Sequence, residues 1–169
     1  MAAFHPDEWQ KFDFQLLKNS PVTLYYRSEV LDKTVIQFQD SGYGIDEFDC
    51  SAWKSESDFH REIALGLEFP NYYGQNLNAF NDCMRDIEIP DLGGRIIVLR
   101  KFDSFTAYEP EVAQIVLDIL ARSSWRFLLT GQRLMTLVQS TNPRIVFDRV
   151  GAHPVVWNPL EWSNNNRGL

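Results

Sequence analysis

A chain of 169 residues with 44% apolar side chains, including 5 Trp, 6 Tyr and 12 Phe, has the size of one globular domain and enough material to fill its core. Its net charge of −7 is uneven: residues 1–65 hold 12 acids and 6 bases, residues 66–118 hold 9 and 4, and residues 119–169 hold 2 and 6. That distribution argues against a nucleic-acid binder, which needs a basic footprint, and it suits either a basic protein partner or plain solubility.

Asp7 to Asn19 places Trp9, Phe12, Leu16 and Leu17 at helical spacing before Pro21, which predicts a first helix. Val22 to Arg27 and Thr34 to Gln39 are rich in β-branched and aromatic residues and read as paired strands. Ser41-Gly42 marks a turn before a strand over Ile45 to Cys50. Ser57 offers an N-cap for a helix that ends between Gly66 and Pro70, with Phe59, Ile63 and Leu67 on its apolar stripe. Arg95 to Leu99, RIIVL, lacks alternation, as a strand covered on both faces does. Pro110, flanked by Glu109 and Glu111, opens a helix with Val112, Ile115, Val116, Ile119 and Leu120 on one face. Phe127 to Leu129 reads as another buried strand, so the middle of the chain is α/β with a right-handed parallel crossover. Beyond Gly131, Gln132 to Val138 reads as helical and Ile145 to Phe147 and Val155 to Trp157 as edge strands, and SNNNRGL as a frayed tail.

Between the two central helices lies FPNYYGQNLNAFNDC, Phe69 to Cys83. With Asn76 as N-cap and about 100° per residue, Leu77, Phe80, Met84 and Ile87 cluster on one side and face the core. Gln75, Asn78, Asp82, Arg85 and Asp86 fall on the opposite side, with Asn81 on its flank. Asn78 and Asn81 are mediocre helix formers, and Asp86 near the C-terminal end opposes the helix dipole, so stability alone does not select this face. Tyr72 and Tyr73 precede Gly74, which is expected at positive φ, and amphipathic rings with few rotors are efficient interface anchors. The stretch is either a solvated helix face with tyrosines packed beneath it or a surface made for a partner.

Catalytic motifs are weak. His60 and Cys83 form at most a thiol and base without a third orienting group, and Asp82 with Asp86 or Glu88 lacks a convergent ligand for a metal. No phosphate-binding loop or dinucleotide fingerprint occurs, so neither a cofactor nor an enzymatic activity is expected. Cys50 and Cys83 lack metal or redox spacing and read as reduced thiols. MAAFHPDEWQ has no basic start followed by an apolar run, and no segment approaches roughly 18 apolar residues, which predicts a cytoplasmic protein without a membrane span.

Ser57-Asp58-Phe59-His60, Leu67 to Pro70, and Tyr72-Tyr73-Gly74-Gln75-Asn76-Leu77-Asn78-Ala79 followed by Asp82-Cys83 resemble, in order and spacing, the barstar family of intracellular ribonuclease inhibitors. More loosely, the resemblance extends through Arg95 to Leu99 and the Glu109 to Arg122 helix to Leu129. It implies a barstar-like parallel sheet with helices packed on it over residues 44–131. Residues 1–43 then form an N-terminal extension of the same domain, and residues 132–169 a C-terminal one, adding helix and edge strands.

The resemblance further implies a bacterial immunity protein of a toxin-antitoxin pair. A loop and helix would plug the cleft of a nuclease toxin, a ribonuclease as the resemblance implies, in a one-to-one complex. Tyr72, Gly74, Asn76 and Asp82 match the family's contact positions, Asp82 being the central acid, and Tyr73, Gln75 and Asp86 share the surface. Asn78 stands in place of a family carboxylate and Asn81 in place of an aromatic. Arg85 adds a base, and Arg122, spaced to pair with Asp118 on its own helix, aligns with a further contacting acid. The other class that the same fold allows is a regulatory interaction module with a non-nuclease partner.

Overall fold

A computed structural model describes residues 2–169. Five strands form one parallel sheet: β1 (Val22–Tyr25), β2 (Gly44–Asp49), β3 (Arg95–Arg100), β4 (Leu134–Gln139) and β5 (Val156–Trp157), in the order β2-β3-β4-β1-β5. The predicted α/β class and parallel, helix-covered sheet are what the chain forms. β3 lies between β2 and β4, with Ile97 opposite Asp46 and Thr136, and its Ile96, Ile97, Val98 and Leu99 are all buried. Their lack of alternation is explained by helices on both faces.

One face carries α1 (Phe12–Asn19) and α2 (Ser28–Asp40), which bury Leu16, Leu17, Leu31, Val35 and Phe38 against Tyr25, Ile96, Val98 and Leu137. The other carries α3 (Glu56–Gly66), α4 (Leu77–Cys83), α5 (Phe102–Tyr108) and α6 (Pro110–Leu129), centred on Trp53, Phe59, Phe80 and Phe105. These rings meet edge to face: Phe59 lies 5.0 Å from Phe80 and 5.5 Å from Trp53.

Several local expectations are corrected. Thr34 to Gln39 belongs to α2 and is not a strand. Leu31, Thr34, Val35 and Phe38 recur at i, i+3, i+4 and i+7, and that buried stripe outweighs the strand preference of the β-branched residues. Phe127 to Leu129 is the last turn of α6, and the strand expected there is β4, in the stretch read as helical. Gly131 at φ +83 stops α6 with bonds from Gln132 N–H to the Phe127 carbonyl and from Gly131 N–H to that of Leu128. All six residues of β4 are buried, so no alternation betrays it.

Ile115 is 42% exposed, unlike its neighbours on the predicted apolar face. Asp7 to Asn19 is interrupted, a 3₁₀ turn at Pro6–Glu8 preceding α1. Val156–Trp157 is an edge strand beside β1, whereas Ile145 to Phe147 is not a strand. The tail is no frayed end: Asn165–Arg167 forms a 3₁₀ turn, and Arg167 is buried, donating to the carbonyls of Pro143, Glu161 and Trp162 and stacking 4.5 Å from the Trp157 ring. Among the described residues no helix is long and apolar enough to cross a membrane.

Candidate functional site

The site is a loop and a short helix carried on a rigid aromatic core. Ser55, not Ser57, caps α3: its hydroxyl accepts the Asp58 N–H at 3.2 Å. The Asp58 carboxylate accepts the Lys54 N–H at 3.0 Å, and that bond, followed by Arg61 and Ser55, holds the carboxyl below its ordinary range. After α3 the chain turns through Glu68 at φ +55 and reaches the loop Phe69 to Asn76. Tyr73 N–H donates to the Pro70 carbonyl at 2.9 Å, and its ring packs edge-on against Phe69 at 5.0 Å.

Asn76 caps α4 as the sequence suggested. Its side-chain oxygen accepts the Ala79 N–H at 2.9 Å, and its amide nitrogen donates to the Gly74 carbonyl at 3.2 Å. The left-handed residue of the loop is Gln75, at φ +48, and not Gly74. At Gly74 a Cβ would lie 3.1 Å from the Asn76 amide nitrogen, so the capping side chain would have to give way by a few tenths of an ångström.

The two tyrosines part company. Tyr72 stands 86% exposed, whereas Tyr73 turns inward and its hydroxyl bonds Nδ1 of His60. Phe80, Met84 and Ile87 are buried and Leu77 half-buried, which leaves Gln75, Asn76, Asn78, Asp82, Arg85 and Asp86 in solvent and Asn81 half-buried on the flank. α4 itself ends at Cys83; i to i+3 bonds from Arg85 and Asp86 N–H to Asp82 and Cys83 carry the face one turn further. Among the described residues Asp82 pairs only with Arg85, at 3.8 Å, and 70% of its side chain is exposed.

Behind Tyr72 a notch of about 260 Å³ is lined by Glu68, Tyr72, Asp86, Glu88 and Arg95. Arg95 is bidentate to Asp46, at 2.6 and 3.0 Å, and donates to the Glu88 carbonyl. Its charge is therefore answered from within, and Glu68, Asp86 and Glu88 give the notch a negative rim. Glu68 was not singled out by sequence reasoning, since only the turn at φ +55 brings it beside Tyr72.

Asp118 and Arg122 lie on α6, which packs against α4. Arg122 pairs with Asp118 at 2.8 Å, and Asp118 also accepts the Gly151 N–H at 2.8 Å, fixing the loop that follows Val150. No hydrogen bond or ion pair joins them to Asp82 among the described residues.

Thiol catalysis finds no support in this geometry. The ring nitrogens of His60 are occupied by Tyr73 and, at 3.0 Å, by Glu56. Burial, together with Asp86 and Asp82, pushes the Cys83 thiol upward, away from thiolate. Both cysteines are free, and no cluster of three metal-ligating side chains occurs among the described residues.

No curated protein matches the chain. A solved chain in a structure of Drosophila ORC bound to AT-rich DNA and Cdc6 is similar at 13% identity and a TM-score of 0.48, over 95% of this chain and 50% of that one. The chain thus spans half of that chain's length, and so low a score bears on neither fold nor function. The family comparison is more direct: the profile described as barstar (barnase inhibitor) matches residues 44–139, from the first residue of β2 through the exposed loop and α4 to the last residue of β4. More than half of the sequence, including the whole tyrosine loop and its helix, is covered, and the chain belongs to the barstar family.

Proposed function

We propose that this protein inhibits a cognate nuclease toxin, a ribonuclease by family precedent, by laying the Tyr72 loop and α4 over its active site in a one-to-one complex. The observation that supports this best is Asp82, a carboxylate held on a rigid helix above a filled aromatic core, mostly in solvent and answered only by Arg85 at 3.8 Å. Such a group offers charge-assisted hydrogen bonds to the Arg or Lys that grips substrate phosphate. The acidic notch beside it and the net charge of −7 favour encounter with a basic cleft. Asn78 and Asn81 supply neutral donors and acceptors, and Arg85 and Arg122 call for acceptors or an acid on the partner's rim.

The experiment is co-expression with the adjacent reading frame, pull-down, and an RNA-cleavage assay with and without the protein. A complex that silences the nuclease is expected. Asp82→Ala should weaken it roughly a hundredfold while shifting folding stability by less than about 0.5 kcal/mol. A stable complex that leaves cleavage at full rate would overturn inhibition and favour a regulatory interaction module.

A further inference from the structure

His60 is the one side chain of α3 that reaches the recognition loop through a polar bond. It is 1% exposed and lies beneath the tyrosine pair, 4.9 Å from the Phe59 ring and 5.7 Å from that of Tyr73. Nε2 stands 3.0 Å from a Glu56 carboxylate oxygen and Nδ1 meets the Tyr73 hydroxyl. A carboxylate only accepts, so Nε2 donates to Glu56, and in the tautomer with that single proton Nδ1 accepts from the Tyr73 hydroxyl. Burial, with Cys83 and Glu56 nearby, raises the Tyr73 phenol above its ordinary range, so it keeps its proton and can donate.

We infer that His60 is a positioning residue for the proposed binding surface: through the Tyr73 hydroxyl it fixes the inward ring, and thereby the direction in which the adjacent Tyr72 stands out into solvent. The chain leaves little choice once Tyr73 is fixed. Tyr73 N–H is already tied to Pro70, Gly74 presents its carbonyl to Asn76, and Asn76 in turn caps α4. The polar chain from Glu56 through His60 and Tyr73 thus links a helix on the rigid core to the cap of the helix bearing Asp82. A preset loop loses less conformational freedom on association than a mobile one, which strengthens binding without adding a contact. Hydrophobic packing alone does not require this histidine, for Phe or Leu would fill the same buried volume at no cost in polar groups.

The inference rests on the reading of this loop as a binding surface, but its test uses the free protein. Tyr73→Phe keeps the ring and removes only the hydroxyl; His60→Phe removes the acceptor. Amide hydrogen exchange is followed at Tyr73, Ala79 and Phe80, whose N–H groups are bonded to Pro70 and Asn76, with Ile97 and Val98 of β3 as internal reference. Each variant is expected to speed exchange at the three loop and cap amides by up to about tenfold and leave β3 unchanged, and the double variant should add little to either. Unchanged loop exchange in Tyr73→Phe, or acceleration of loop and β3 amides by one common factor, would overturn the positioning role. Failure of the partner assay with intact loop effects would instead refute the inhibitor reading and leave the strut standing.

Discussion

Arg133 and Asp82 carry opposite charges at opposite extremes of engagement. Arg133 is closed in by Glu8 at 3.0 and 3.1 Å, Asp13 at 3.0 Å, the Ala3 carbonyl at 2.7 Å and the ring of Phe4 at 3.9 Å. Asp82 has one loose partner and faces water. The chain's other internal clamp resembles the first: Glu161, fully buried, accepts from the Tyr26 and Arg27 N–H groups at 2.8 Å, from Asn158 at 2.6 Å and from the Arg27 side chain at 3.1 Å. Each clamp ties a chain end to the sheet: Glu8 and Asp13, before the matched family region, close on Arg133 within it, and Glu161, after that region, closes on Tyr26 and Arg27 before it. Polar groups so enclosed are costly to leave unpaired, and their geometry serves folding. Exposed ions such as Asp82 contribute little to folding, so their arrangement is free to serve a partner.

The largest effect is expected at Glu161. Glu161→Ala strands two backbone N–H groups and the Asn158 amide, and should cost about 3–5 kcal/mol in urea unfolding. Binding through α4 should survive below the lowered midpoint, since among the described residues no hydrogen bond or ion pair links Glu161 to that face. A loss of affinity equal to that of Asp82→Ala, in protein shown to be folded, would mean that anchor and recognition surface are not separable.

A smaller effect is expected at the N-terminal clamp, where it is read through pH. The Glu8 carboxyl is lowered from 4.5 to about 2, chiefly by the His5 N–H, with Lys11 and Arg133 adding to it against the opposing effect of burial. A carboxyl depressed in the folded state adds stability that is fully present above 4.5 and drains away as pH falls from 4.5 toward 2. Glu8→Gln should therefore lower stability at neutral pH by about 2 kcal/mol and flatten the acid limb of the stability curve. An acid limb identical to that of the parent protein would remove Glu8 from the clamp.

These two clamps also mark what the sequence could not display. Glu161 and Tyr26 are 135 residues apart, and Glu8 and Arg133 are 125 apart, so no local pattern announces either pair. The exposed loop and α4 are the reverse case. Asn76, Ala79 and the apolar positions Phe80, Met84 and Ile87 lie within three turns, and the helical period alone assigned them to cap and core. β3 was readable because an apolar run of strand length has few other uses. α2 and the end of α6 were not, because Thr34-Val35-Ile36 and Phe127-Leu128-Leu129 carry strand-like side chains on surfaces whose burial only the sheet decides. The inward turn of Tyr73 against the outward one of Tyr72 needed His60, 13 residues earlier, and so escaped sequence reasoning as well.

The smallest effect sits inside the proposed binding face and concerns strain in place of charge. Among the described residues four non-glycine residues adopt positive φ, and two of them, Glu68 and Gln75, lie at the two ends of the exposed loop, whereas neither falls among the clamp residues. A left-handed Gln costs about 1 kcal/mol relative to Gly at the same angles, offset in part by the extra freedom that Gly gives the unfolded chain. Gln75→Gly should therefore leave stability unchanged or raise it by less than about 1 kcal/mol, measured by thermal unfolding. Affinity should move the other way, because the variant loses the Gln75 amide and frees the hinge between Tyr72 and the Asn76 cap. Relief of strain with weaker binding is what a surface shaped for a partner gives. Were Gln75→Gly to lower stability and leave affinity intact, the loop would belong with Glu161 and Arg133 as part of the scaffold.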